Sequence, residues 1–169
     1  MADSPTPFFT DGHLGNVLHT FTASAADGRD APSHRPGERA NITDGGHAMY
    51  VLAATNINVG DCVVIDRNGN ASQITNALAT AKVGTVGFCP ANGGIPQGSY
   101  GWVILRSNDT TINVLTGTAA GASLYTTATA GVLSGTAASQ VAVLGVSTNV
   151  VGSTGGTASA SIVDPRLVD

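Results

Sequence analysis

From residue 48 onward the chain runs in short segments rich in Val, Ile and Thr, separated by Gly and Asn. That pattern predicts strands punctuated by turns. We place them near residues 48–54, 61–66, 71–74, 83–88, 100–106, 111–115, 122–126, 131–134, 140–147 and 157–163. Asp66-Arg67-Asn68-Gly69-Asn70 predicts a tight hairpin, because Asn and Gly accept the positive φ that such turns need. The spacing implies an all-β fold, a small barrel or a sandwich. Residues 1–46 hold no sustained period and carry turn formers at Asp11-Gly12, Asp27-Gly28, Arg35-Pro36-Gly37 and Asp44-Gly45-Gly46. They read as an irregular N-terminal arm, with a short helix over 13–19 the one element it offers. The arm's apolar residues Phe8, Phe9, Leu14, Val17, Leu18 and Phe21 cluster in a way that suits docking on another surface. The expected organisation is therefore an arm, 1–46, followed by a β-rich domain, 47–169.

The β-rich part reads as a duplication. The segment from Gly60 through Val83-Gly84 can be laid over the segment from Gly121 through Leu144-Gly145, with a Gly turn at Gly69 in one copy and Gly131 in the other. Each copy ends in an alternating strand, Tyr100-Gly101-Trp102-Val103-Ile104-Leu105 and Thr157-Ala158-Ser159-Ala160-Ser161-Ile162. Two such hairpin-plus-strand units would close one small barrel with approximate two-fold symmetry and leave no free sheet edge. Chance alignment of frequent glycines is the alternative.

Composition adds one unusual feature. Charged residues make up only 11% of the chain, against about 25% in an average soluble domain. Nine of them fall in residues 1–46, six in 47–109, none in 110–163 and three in 164–169. The net charge of −4 and the lack of any Lys/Arg cluster argue against a nucleic-acid partner, which needs phosphate neutralisation. No apolar run approaches the roughly 18 residues of a membrane span, and Met1–Thr10 has neither the basic start nor the apolar core of a signal peptide. A soluble protein made in a cytoplasm is expected.

A search for chemistry returns structural readings. His13, His19, His34 and His47 have irregular spacings without a metal-binding motif. Cys62 and Cys89 form no Cys-x-x-Cys pair and read as buried reduced thiols, or as a disulfide if their strands are neighbours. There is no Gly-x-Ser-x-Gly elbow, and the one Glu, Glu38, lies in the arm. Asp61 and Asp66, five residues apart, fall on opposite faces of a strand and read as turn and strand-end caps. The Gly pairs at 45–46, 93–94 and 155–156 lack the Lys-Ser/Thr of a phosphate loop. Lys82 opens a strand rather than tipping a hairpin, which favours an ordinary solvated Lys over the modified Lys of a carrier domain. The sole Trp, Trp102, reads as a core or subunit-interface anchor. No catalytic residue, metal or cofactor is expected, and the chain does not read as an enzyme.

Four stretches carry a resemblance: Gly60-Asp61-Cys62-Val63-Val64-Ile65-Asp66, the Val83-Gly84 step, Gly98 through Arg106, and Ala120 through Leu133. Together, over roughly residues 47–165, they resemble the small β-rich structural proteins of tailed-phage virions, and among these the head decoration, or capsid cement, proteins. The resemblance implies a subunit on the capsid surface of the virion, often trimeric, that binds the major capsid protein and holds the expanded shell. The neutral stretch is compatible with that, since a protein contact made of Thr, Ser and Ala buries no unpaired charge. Phe8, Phe9, Leu14, Val17, Leu18, Phe21, Trp102 and Tyr125 are the expected capsid or subunit contacts. The alternative function is a receptor- or glycan-binding module of a virion fibre or tail, with Tyr100, Trp102 and Tyr125 as an aromatic platform.

Overall fold

A computed structural model describes residues 21–22, 34–81, 84–90, 93–137, 140–150, 152 and 156–168. The fold is all-β. Its first unit contains β1 (Phe21–Thr22), β2 (Arg39–Ile42), β3 (Gly46–Ala53), β4 (Cys62–Ile65), β5 (Asn70–Gln73), β6 (Thr85–Phe88) and the long β7 (Ser99–Asn113). One short helix, α1 (Asn76–Thr80), follows β5, started by the Thr75 side chain, which accepts from the Leu78 amide. β4 pairs with both β5 and β6, β6 pairs with β7, and β7 returns to β3. A parallel pairing of Leu52 and Ala53 with Asn70 and Ala71 closes the ring, giving a five-stranded barrel in the order β3-β5-β4-β6-β7.

The barrel is filled by Met49, Val51, Val63, Ile65, Val103 and Leu105. Its outer wall is buried as well, through Tyr50, Cys62, Val64, Phe88, Trp102 and Ile104. This explains why Cys62-Val63-Val64-Ile65 is apolar at every position: a strand covered on both faces loses the alternation of a half-exposed one. Part of the cover is the stretch 34–42. β2 forms a hairpin with β3, the Gly37 amide donates to the Tyr50 carbonyl and the Tyr50 amide to the Glu38 carbonyl, and the His34 ring lies edge-on to Tyr50 and Trp102 at 5.4 and 5.1 Å. A domain boundary at 46 therefore falls inside this hairpin, and residues 34–46 pack with the β-rich unit as its cover. Gly69 (φ +80°) sits where a side chain would meet the Pro36 and Gly37 backbone, so the hairpin tip can approach that stretch only as glycine.

The second unit repeats the first. It comprises β8 (Leu124–Thr126), β9 (Leu133–Ser134), β10 (Ala142–Thr148) and β11 (Thr157–Val168). β8 pairs with β9 and β10, β10 with β11, and β11 with the second half of β7. Val114, just past β7, bridges Leu133 in parallel, in the manner of Ala53 and Ala71. The corresponding amides follow suit: Ala54 donates to Ala71 and Leu115 to Leu133, both at 2.8 Å. The turns agree too. Asp61 N–H donates to Asn58 C=O and Ala122 N–H to Ala119 C=O, with Gly60 and Gly121 at φ +78° and +69°. Asp66 Oδ1 accepts from the Asn68 amide where Thr127 Oγ1 accepts from the Thr129 amide.

The duplication is thus present pairing by pairing, with one correction to its geometry. The two units do not combine into one barrel. The first closes on itself through β3, and the end of β7 takes the place of β3 in the second. The segments read as separate strands at 100–106 and 111–115 are this single strand, which changes partner from β3 to β11 near Arg106. A continuous core joins the units, running from the barrel's outer wall into Ile112, Leu124, Leu133, Val143, Ala160 and Ile162.

Candidate functional site

The chemistry-bearing residues of the first unit serve its architecture. Asp61 is 2% exposed and accepts from the Asn58 amide at 2.7 Å, Gln73 Nε2 at 2.6 Å and Asn113 Nδ2 at 2.9 Å. These donors come from the turn before β4, from β5 and from the end of β7. The second unit touches the same point, because a Cβ on Gly131 would lie 2.5 Å from the Asp61 carboxyl, and Gly131 C=O accepts from the Cys62 amide. Asp61 therefore caps its turn, as expected, and also joins the two units. Nothing in sequence spacing marks the second role, because the Gly131 turn that it meets lies far along the chain, beyond β8.

Asp66 caps the hairpin by accepting from the Asn68 and Asn70 amides and from Asn70 Nδ2. Desolvation pushes its carboxyl up, but the Asn70 and Asn68 hydrogen bonds outweigh it and leave the group below the usual carboxylate value. It borders a cleft of about 350 Å³ beside α1, with Val64, Leu78 and Ala81 among the walls. In the arm-proximal stretch, the Arg35 amide chiefly, then His34, hold Glu38 low.

Cys62 and Cys89 are free thiols on opposite faces of their sheet, Cys62 in the outer-wall core and Cys89 in the barrel interior. Burial first, and then the negative Asp61, raises both, Cys89 to about 12 and Cys62 further. Neither thiol reacts with an aromatic disulfide reagent at pH 8 while the protein is folded, and both react once it is denatured; labelling with and without denaturant checks this. The raised thiols also set a sign. The unfolded chain loses these protons from its ordinary value of 9.0 upward, the folded one only near 12 and above, so their contribution to stability is whole below pH 9 and declines as pH rises beyond it.

Of the expected contact residues, Phe8, Phe9, Leu14, Val17 and Leu18 lie outside the described residues, as do the helix expected over 13–19 and Lys82. Phe21 belongs to β1, whose backbone pairs with Tyr100 and Ser99 at the start of β7. Trp102 is 3% exposed under His34 and Tyr50, which makes it a core residue of the single chain. Tyr100 is stacked on Tyr50 at 5.9 Å, while half-buried Tyr125 on β8 shares no ring contact with them among the described residues. The three aromatics thus form no common platform. Among the described residues no three His, Cys, Asp or Glu side chains gather in a metal-binding group, and no helix is long and apolar enough to cross a membrane.

What the fold brings to the surface lies in the second unit. Among the described residues five large hydrophobic side chains are exposed, and Leu115, Leu144, Val150 and Val163 all lie in the charge-free stretch 110–163; Leu78 on α1 is the fifth. The neutrality is positional. Where the first unit has Asp61, Asp66 and Arg67, the second has Ala122, Thr127 and Ala128. The Thr127 hydroxyl does the turn-capping work of the Asp66 carboxylate by accepting from the Thr129 amide and donating to C=O groups nearby. A groove of about 340 Å³ at one end of this unit, walled by Leu115, Thr118, Ser134 and Gly135 among others, has no charged residue in its lining. Such a surface can be covered by another protein without desolvating an ion. No protein-family model and no curated protein matches the sequence.

Proposed function

We propose that the protein is a structural subunit of a tailed-phage virion that binds the outer surface of the capsid and stabilises the expanded shell. On this reading it is made in the host cytoplasm, its partner is the major capsid protein, and copies associate as homotrimers. One observation carries the reading: a duplicated fold whose second copy has exchanged its charged turn residues for neutral ones and exposes four large aliphatic side chains. In a lone solvated domain, charge on the second copy would favour solubility. Its removal over 54 consecutive residues suits a surface that is covered in the working assembly. Repetition over a lattice would let modest individual contacts add through avidity.

Saturable binding of the purified protein to undecorated expanded capsids is the expected result, and its absence would contradict the reading. The arm supplies a second test. Deleting residues 1–20 removes no described pairing, so the shortened chain keeps its melting temperature within a few degrees while attaching more weakly. Equal attachment would remove Phe8, Phe9, Leu14, Val17 and Leu18 from the contact set.

A further inference from the structure

Three unusual features coincide where β10 meets β11. The first is in the backbone. Leu144 pairs with Arg166 and Val146 with Ile162, so one residue of β10 and three of β11 are left between matched pairs, a double bulge. On the β10 side the extra residue is Gly145 (φ +80°), whose Cβ would collide with the Val163 carbonyl. On the β11 side Asp164 has φ +44°, the only non-glycine residue with positive φ among the described residues. A left-handed backbone at a non-glycine is unfavourable and persists where the surrounding structure requires it.

The second feature is what the bulge presents. Ile162 and Pro165 point inward and are buried, whereas Val163, Asp164 and Arg166 are exposed. Val163 is 53% exposed and Leu144 is 40% exposed, on neighbouring strands either side of the irregularity. The third is charge. Val163 faces Arg106 across the β7–β11 pairing, and Leu144 faces Arg166 across the β10–β11 pairing. Neither guanidinium has a side-chain partner among the described residues, in a protein whose net charge is −4. Two exposed aliphatic side chains on adjacent strands are therefore each paired in register with an exposed arginine, at a bulge where the backbone turns left-handed at Asp164.

We propose that this bulge is a docking site for an acidic-aliphatic segment of a partner protein, one apolar side chain seated on Leu144 and Val163 with carboxylates reaching Arg106 and Arg166. The inference rests on the capsid reading for the identity of the partner, which would be a segment of the shell. Charge complementarity selects the occupant. Two exposed arginines paired with the aliphatic side chains favour an acidic partner over a second copy of the same patch, and the aliphatic side chains favour a protein over a phosphate backbone.

The test uses the full chain and undecorated expanded capsids. The paired substitution Arg106→Gln/Arg166→Gln is expected to weaken binding on the order of tenfold or more and to flatten its salt dependence, and Val163→Asp to abolish saturable binding. All three positions are exposed, and thermal melts equal to wild type establish that the variants are folded. Leu144→Ser provides an independent variant should one of them melt early. If wild type binds and these variants bind within twofold of it, the docking site is wrong while the capsid reading stands. If wild type itself does not bind, both fall. Variants that lower the sedimentation mass and leave capsid affinity unchanged would identify a second copy as the occupant and overturn the proposal. So would binding of a labelled DNA duplex that is lost on removing the two arginines.

Discussion

Asp61→Ala lowers the stability of the protein by about 3 kcal/mol, because three donors lose the buried acceptor that they share. Gln73 Nε2 and Asn113 Nδ2 are the costly ones, since each is directed at the carboxylate from a different strand. Alanine leaves Gln73 Nε2 without this acceptor and Asn113 Nδ2 with the Val59 carbonyl alone. For a domain of this size the loss corresponds to a fall in melting temperature of roughly 6 °C or more. Asp61→Asn keeps one acceptor oxygen and costs less. The Gly131 turn provides the link to the second unit: Gly131→Ala is destabilising in wild type, where the new Cβ meets the Asp61 carboxyl at 2.5 Å, and less so beside Asp61→Ala, where the carboxyl is gone and the Cβ of residue 61, at 2.9 Å, is the remaining neighbour. Additive losses in that double-mutant cycle would mean that the carboxylate does not join the units.

Phe88→Ala costs about 3–5 kcal/mol, the range for removing a fully buried aromatic side chain. Phe88 stands in the wall between the two units, on the outer face of the barrel, paired with Cys62 on one side and Ile104 on the other. Its core continues into the second unit without interruption. The variant should therefore melt earlier in a single transition, seen together in the far-ultraviolet circular dichroism and in the emission of Trp102. Two separated transitions would show that the units unfold independently, contrary to a shared core.

The features legible in the sequence were those with local causes. Strands bounded by Gly and Asn stood out because turn chemistry needs particular residues at particular positions, as at Asp66 through Asn70. The repeat was visible through Gly60 and Gly121, which share a positive φ in the same turn. What stayed hidden depended on contacts between distant segments. β2 has only four residues, and its burial comes from β3, so nothing within 39–42 distinguishes it from arm. Ser107-Asn108-Asp109 reads as a break, yet β7 runs through it because β11 supplies new partners where β3 ends. α1 is five residues long, too short to show a helical period. Asp61 reads in sequence as a local cap and His34 as one of four irregularly spaced histidines, and only the fold places one between two units and the other over the sole Trp.

On the proposed capsid reading, the charge-free stretch 110–163 is the face turned to the shell, and a density map of the protein on an expanded particle checks this. The map should place residues 110–163 and the β10–β11 bulge against the shell, with the Asp66 hairpin of the first unit turned away from it. A particle on which the first unit makes the contact and Leu144 and Val163 face solvent would contradict it.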